Sequence, residues 1–300
     1  MRLRTAMAAA LVVGALPAAA QPPAPSFAPG CTLFPAGNVW NTPVRDLPVA
    51  ANSAQLIASI GMDAGLHPDF SNNGGYGIPV NVVGKTAKRV RVKFQYASES
   101  DRVRYPIPAR PRIEGGSDRH MLIVDRSKCR LYELFAAQRS GSGWTAGSGA
   151  TWDLRSNRLR PDGWTSADAA GLPILPGLAR YDEVRRGAIL HALRFTAPRS
   201  ASAHIYPARH DAGDGADASL PPMGLRVRLK AGVSLAGFGP QAKAVLVALR
   251  DYGMILADNG SPWYVTGAPS PKWNDDDLHQ LGRITGADFE VVDTSGLRSH

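Results

Sequence analysis

The chain has 300 residues, a formal net charge of +9 and two cysteines. This length can bury a substantial core without many disulfides, which excludes the small cysteine-stapled scaffolds. The basic residues form no block of like charges and no basic patch interleaved with aromatic residues, which argues against a nucleic-acid partner. An acidic polysaccharide stays open, although Arg226 and Arg228 alternate with apolar residues in a way that predicts the solvent face of a strand.

The N-terminus has the order of a secretory signal peptide. Met1–Arg4 is basic, Thr5–Pro17 is apolar, and Ala18–Ala20 is a small-residue tail. The apolar run is shorter than the roughly 20 residues that span a bilayer, so we expect cleavage after residue 20 rather than anchoring. The rest of the chain contains no longer apolar run, which predicts a secreted or periplasmic protein without a membrane span.

Residues 21–30 are rich in Pro, Ala and Ser and predict a flexible segment. Cys31 follows, and the second cysteine is Cys129. In an oxidising compartment a lone pair of this kind usually forms one disulfide. Two buried thiols or a metal pair are the alternatives, and the wide spacing without Cys-x-x-Cys makes poor evidence for zinc.

Helical patterns are few. Asn52 and Ser53 precede a short apolar segment, 54–61, that ends at glycine. Pro240 opens a second helix, in which apolar residues recur at helical spacing until Gly253. Asn274 followed by three aspartates predicts the start of a third helix, ending by residue 286.

Strand patterns dominate. Two runs, 121–125 and 130–135, flank a turn and predict a hairpin. Alternation or short apolar runs predict further strands at 89–94, 189–196, 203–206, 225–230, 254–257, 263–266 and 289–292. We therefore expect residues 31–300 to form one mainly β domain, an antiparallel β-sandwich of jelly-roll type with peripheral helices; a two-domain α+β arrangement that breaks near residue 235 is the alternative.

No standard catalytic motif is present, so candidate sites depend on clusters of residue types. Asp118 and His120 enter the first strand of the predicted hairpin, and Glu133 lies on the second. An imidazole and a carboxylate facing inward are candidates for acid/base chemistry. The alternatives are that Glu133 pairs with an arginine and that His120 only ends a strand. Glu114 and Asp153 are further carboxylate candidates for a hydrolase.

Two later segments add histidines. His191 alternates with apolar residues, so it is either a buried core histidine or a residue lining a cleft. Tyr206, Arg209 and His210 are the types that a polysaccharide lyase uses to remove a proton beside a carboxylate. His120, His191 and His210 together would be metal ligands if the fold brought them together; the sequence specifies no cofactor.

Tryptophans and aspartates cluster in a Gly-rich stretch. Trp144, Trp152 and Trp164 lie near Asp153, and such groups can stack on and orient a sugar. The alternative is that the rings cover the core. Asp211, Asp214 and Asp217 lie in a Gly/Ala loop without EF-hand spacing, which favours a solvated loop over a calcium site.

Three segments resemble a set of exported bacterial proteins of unassigned function. They are Asp118–His120 with Cys129–Leu134, Asp162–Glu183, and Tyr252–Tyr264. The resemblance covers most of the chain after the signal segment. It implies a single secreted domain and the Cys31–Cys129 pairing, and it brings no reaction with it.

The favoured hypothesis is a secreted carbohydrate-active enzyme, a hydrolase or a lyase, that cleaves an extracellular or wall polysaccharide by acid/base catalysis. A hydrolase would use two of the carboxylates, and a lyase would use Tyr206, Arg209 and His210. The alternatives are a non-catalytic glycan-binding or envelope protein and a metal-dependent enzyme using the histidines.

Overall fold

A computed structural model describes residues 26–28, 31–213, 215 and 217–297. The predicted signal segment, most of the predicted flexible segment and Asp214 lie outside these residues. Among the helices of the described ranges, none is long and apolar enough to cross a membrane.

Strands form the main structure. In chain order they are β1 (Ser26–Ala28), β2 (Cys31–Thr32), β3 (His67–Asp69), β4 (Val80–Val83), β5 (Val92–Phe94), β6 (Met121–Asp125), β7 (Arg130–Phe135), β8 (Gln138–Ser140), β9 (Gly143–Ala146), β10 (Ser148–Asp153), β11 (Leu193–Ala197), β12 (Arg226–Leu229), β13 (Met254–Asn259), β14 (Tyr264–Thr266) and β15 (Phe289–Val291). The predicted hairpin is confirmed as β6 and β7. The predicted strand at 189–196 starts only at Leu193, and 203–206 contributes just a bridge from His204 to Met223.

The sheets are mixed, whereas the sequence predicts antiparallel pairing. The largest has the order β15-β12-β13-β11-β14-β3, the second β10-β7-β6-β4 and the third β5-β9-β8, while β1 pairs with β2. The pairs β11–β13, β3–β14, β4–β6 and β5–β9 run parallel. The β-rich class is thus confirmed and the jelly-roll arrangement is not.

Four α-helices accompany the sheets in the described residues. They are α1 (Ser53–Ile60), α2 (Tyr181–Arg186), α3 (Pro240–Asp251) and α4 (Asp275–His279). Asn274 caps α4 by accepting a hydrogen bond from the Asp277 backbone N–H, as predicted. The helix gives way at Gln280 to a 3-10 turn, so it ends earlier than the aspartate-led pattern predicts.

The hairpin is buried on both faces. Leu122 and Val124 pack in one apolar cluster with Cys31 and Cys129, which form a disulfide with Cα atoms 5.5 Å apart. The alternate residues of β6 pack in a second cluster with side chains of the three-stranded sheet. A third, larger cluster joins the six-stranded sheet to α1, α3 and α4.

Arg226 and Arg228 are buried, which corrects the expectation that they face solvent. Arg226 is 1% exposed and donates to the backbone carbonyls of Val39, Thr42 and Tyr252. Arg228 donates to the carbonyls of Val44, Arg45 and Leu47, and to Glu290. The two guanidinium groups hold the irregular 39–47 segment against β12, because that segment offers carbonyl oxygens without strand partners.

Candidate functional site

Glu114 and His120 form a pair where the chain enters β6. The Oε2 of Glu114 accepts from the His120 backbone N–H at 3.1 Å and lies 2.5 Å from Nδ1 of the same ring. Nε2 lies 2.9 Å from the Ala167 carbonyl, which can only accept, so Nε2 carries a proton. Both ring nitrogens therefore face acceptors, and this arrangement favours an imidazolium beside a carboxylate.

The pKa values of this pair move in opposite directions. Burial acts first on both groups and favours their neutral forms, but the mutual hydrogen bond and charge attraction outweigh it. The pKa of Glu114 is lowered and the pKa of His120 is raised as a result. The side chain of His120 is 4% exposed and that of Glu114 16%, so the carboxylate is the member that reaches solvent.

A buried arginine, Arg194, lies near enough to this pair to act on the pKa values of both groups. Arg194 on β11 donates to both oxygens of Asp168, with distances of 2.9 Å from Nε and 2.7 Å from Nη2, and its Nη1 donates to the hydroxyl of Thr266. The carboxylate of Asp258 lies 3.9 Å from the same guanidinium. Burial, followed by repulsion from Asp168, raises the pKa of Asp258 to about 7. One arginine thus neutralises one aspartate and leaves the other poised to hold a proton.

Asp69, at the end of β3, completes this group. In the strand register it lies opposite Thr266, the residue that Arg194 contacts. Burial raises the pKa of Asp69; the charges of His67 and Arg194 oppose this shift, and the negative charges of Glu114 and Asp118 add to it. We call Asp69, Glu114, His120, Asp168, Arg194 and Asp258 the polar cluster.

Asp69 and Arg194 are absent from the sequence-based candidates. Asp69 lies in the short segment His67–Asp69, in which a proline separates the two polar residues. The sequence pattern there does not predict a strand. Arg194 was predicted to be an ordinary strand residue. Arg194 pairs with Asp168, which lies 26 residues earlier in the chain. Only the fold brings the two side chains together, so the sequence carries no local signal of this pair.

A groove of about 500 Å³ lies beside Glu114. Asn72, Asn73 and Arg112 supply polar groups to it, and several prolines supply apolar walls. Gly77 shapes the loop: its φ is +95°, and a Cβ there would lie 2.6 Å from the Gly267 carbonyl oxygen. We call this cavity the Glu114 groove. It has the mixture of apolar walls and a few orienting polar groups that is usual in ligand sites.

Glu133 lies in the interior rather than in a cleft. It is fully buried, and its carboxylate accepts from the backbone N–H groups of Ile174 and Leu175 at 2.9–3.1 Å. Burial raises its pKa to about 7, although these two hydrogen bonds oppose the shift. The arginine partner that the sequence suggested as the alternative is replaced by backbone donors, and Glu133 anchors the 174–175 turn to β7.

The three histidines that were considered together do not converge. His191 is fully buried and its Nε2 lies 3.1 Å from Glu183, so it matches the core-histidine alternative. His210 donates from Nδ1 to the Ala169 carbonyl, and its Nε2 lies 3.8 Å from Glu99. Each ring thus has its own carboxylate. In the part of the chain that the structure describes, no three His, Cys, Asp or Glu side chains are placed to hold a metal ion.

The tryptophans divide between two environments. Trp152 and Trp164 line a cleft of about 470 Å³ together with Asp153, as the sugar-binding hypothesis requires. The guanidinium of Arg160 lies over both rings, at 5.7 and 5.5 Å from their centroids. Trp144 instead packs in the apolar cluster under the three-stranded sheet, which is the core-covering alternative.

The residues of the lyase hypothesis also separate. Tyr206 and Arg209 line a third groove of about 890 Å³ with His204, and Arg209 pairs with Asp162 at 3.0 Å. His210 is not among the residues lining that groove. Asp118 is exposed at the surface near Glu114, where its carboxylate accepts from Ser117.

Comparisons with known proteins give no relative for this chain. No family model matches, and neither the curated proteins nor the solved structures contain a significant match. The geometry of the site therefore carries the functional argument alone.

Proposed function

We propose that the chain is a secreted carbohydrate-active enzyme that cleaves a polysaccharide by acid/base catalysis, with the chemistry at the Glu114 groove. The observation that carries the proposal is the Glu114 carboxylate, which lines the groove and is fixed by the backbone N–H and ring of His120. Asp69 lies close enough to feel its charge, and the pKa of Glu114 is lowered while that of Asp69 is raised. Hydrolysis of a glycosidic bond needs one carboxylate and one carboxylic acid, and different environments are how proteins keep them in those two states.

Glu114 is the ionised member. His120 occupies Oε2, and among the described residues no hydrogen bond reaches Oε1. That oxygen is available at the groove as a general base toward water or as a nucleophile toward a sugar carbon. His120 acts as a positioning residue, because its backbone N–H and ring fix the carboxylate while Ala167 fixes the ring.

Asp69 is the acid. Its raised pKa favours the protonated form that a general acid needs, and it is half-buried rather than sealed in the core. Arg194 and Asp168 supply a fixed, paired set of charges within the polar cluster, and the charge of Arg194 acts on Asp69.

Export is part of the proposal. The signal-like segment lies outside the described residues, and the Cys31–Cys129 disulfide supports an oxidising compartment. The hydrolase is preferred to the lyase because Tyr206 and Arg209 line a different groove from the one at Glu114, and His210 faces Glu99.

The test is activity screening of the secreted chain on neutral and acidic glycans, with new reducing ends and unsaturated products measured separately. We expect reducing ends without ultraviolet-absorbing product. Glu114→Gln and Asp69→Asn should each lower kcat by about 10²–10⁴-fold, the usual contribution of a positioned acid or base. Asp63→Asn, an exposed carboxylate away from every cavity described above, is the control and should retain activity.

If unsaturated product still forms in both Glu114→Gln and Asp69→Asn, the reaction takes place at the groove lined by Tyr206 and not at the Glu114 groove. Absence of cleavage on the whole panel, with glycan binding intact, would replace the enzyme by the glycan-binding alternative.

A further inference from the structure

The cleft at Trp152 continues into a second cavity. The second cavity measures about 260 Å³ and shares Arg130 and Thr151 with the first, so the two form one depression across the face of β7 and β10. Arg130 and Thr151 alternate with residues of the apolar core along these strands, which places them on the same face. We call the joined cavities the basic trough.

Cations outnumber anions along the trough. Its lining contains two aspartates, Asp101 and Asp153, and six basic side chains: Arg89, Arg104, Lys128, Arg130, Arg158 and Arg160. Two of the six are already neutralised, since Arg89 pairs with Asp125 and Arg160 with Asp101. The other four make no ion pair within the described residues, and Arg104, Lys128 and Arg158 are exposed.

Part of the trough is rigid. Arg160 donates to the carbonyls of Thr165 and Glu99 as well as to Asp101, and is 6% exposed. Arg89 is held by the hydroxyl of Tyr132 at 2.8 Å. A preorganised floor with unpaired cations at its rim is an arrangement that binds an extended anion without ordering many side chains first.

We propose that the basic trough binds an acidic polysaccharide, at a site separate from the Glu114 groove. The unpaired arginines would take carboxylate or sulfate groups, while Asp153 and the hydroxyl groups of Thr151 and Ser156 would take sugar hydroxyls. No residue lines both the trough and the Glu114 groove, so this inference does not rest on the proposed function.

The covered aromatic rings favour a polysaccharide over a nucleic acid. Single-stranded nucleic acids bind by stacking bases on open rings. Trp152 is 5% exposed and Tyr132 3%, and a guanidinium lies over each of them. Trp164 is half-buried, and Arg160 also lies over its ring, which leaves one face for a sugar and too little open aromatic surface for successive bases.

The experiment measures binding of polygalacturonate oligosaccharides by calorimetry at low salt, with a neutral gluco-oligosaccharide and a single-stranded oligonucleotide as the other probes. The variant is R130A/R158A. Its matched control is R185A/R199A, which removes the same charge from exposed arginines outside the trough. We expect binding of the acidic glycan to weaken at least about tenfold in the trough variant, as loss of charge-assisted contacts predicts, and to change less than about threefold in the control.

If R130A/R158A and R185A/R199A weaken binding of the acidic glycan equally, the effect comes from net charge alone, and the trough is not the binding site. An oligonucleotide that binds more tightly than the glycan and depends on the same arginines would reassign the ligand, and a neutral glycan that binds as well would remove the role of the arginines. R158E serves as a second variant because its side chain is exposed and its fold can be checked by circular dichroism.

Discussion

Arg194 and Arg158 illustrate how differently this chain uses one residue type. Arg194 is 4% exposed, makes a bidentate pair with Asp168 and shifts the pKa values of its neighbours. Arg158 is exposed at the rim of the basic trough, with no ion pair to any described residue. Paired, buried charge fixes geometry, and Arg194 lowers the pKa of the carboxyl groups around it, whereas unpaired, accessible charge is available to a ligand. The polar cluster therefore suits chemistry and the trough suits binding.

The largest difference between the two regions is expected when the same substitution, arginine to methionine, is made in each of them. Arg194→Met leaves Asp168 buried without its cation, and we expect a loss of about 3–5 kcal/mol in the free energy of unfolding. Arg158→Met should change it by no more than about 0.5 kcal/mol, as exposed positions usually do. Urea denaturation measures both.

The double variant R194M/D168L tests whether the unpaired carboxylate of Asp168 causes the loss of stability. It removes that carboxylate as well, so it should recover much of the lost free energy of unfolding. If Arg194→Met alone lowers the free energy of unfolding by less than about 1 kcal/mol, the Arg194–Asp168 pair is solvated and the polar cluster is not fixed by it.

The next prediction concerns the pH dependence of stability. The pKa of Glu133 is raised to about 7, so the stability that its proton contributes is fully present below the unfolded pKa and is lost as the pH rises through 7. In Glu133→Gln, the fall in unfolding free energy between pH 5 and pH 8 should shrink by about 2 kcal/mol, while Asp258 keeps its own contribution. Denaturant titrations at several pH values measure the slope, and an unchanged slope would contradict the burial argument.

The smallest expected effect sharpens the assignment of Asp69. The negative charge of Asp118 raises the pKa of Asp69, so Asp118→Asn should lower that pKa. If Asp69 must be protonated to act, the alkaline limb of the kcat/KM profile moves to lower pH. Solvent screening keeps the shift below about one unit. A limb that moves to higher pH would assign the acid to another group.

Sequence patterns predicted the elements with strong local signals. The β6–β7 hairpin and the helices α1 and α3 follow from apolar spacing and flanking turn residues, and Asn274 caps α4 as its position indicates. The alternating pattern wrongly predicted that Arg226 and Arg228 face solvent, because such a prediction assumes that one face of the strand is exposed to water. Here the face of β12 that should be wet is covered by the 39–47 segment, whose carbonyls accept from both arginines.

The candidate site was predicted in fragments. Glu114 and His120 are six residues apart and were recognised as candidates, whereas Asp69, Asp168 and Arg194 come from three distant segments. In the trough, Trp152, Asp153 and Trp164 were candidates for sugar binding, but the basic residues were missed for the same reason. Arg89, Arg104 and Arg158 are scattered along the chain, so no run of like charges marks the surface that they form around the β7–β10 pair.

The most direct test measures cleavage and binding together in two variants. Glu114→Gln should lower kcat for glycan cleavage by about 10²–10⁴-fold and keep the affinity of the trough for acidic oligosaccharide, while R130A/R158A should weaken that affinity at least about tenfold and keep cleavage of a short neutral substrate. Loss of both properties in either variant would contradict the separation of chemistry and binding on which this account depends.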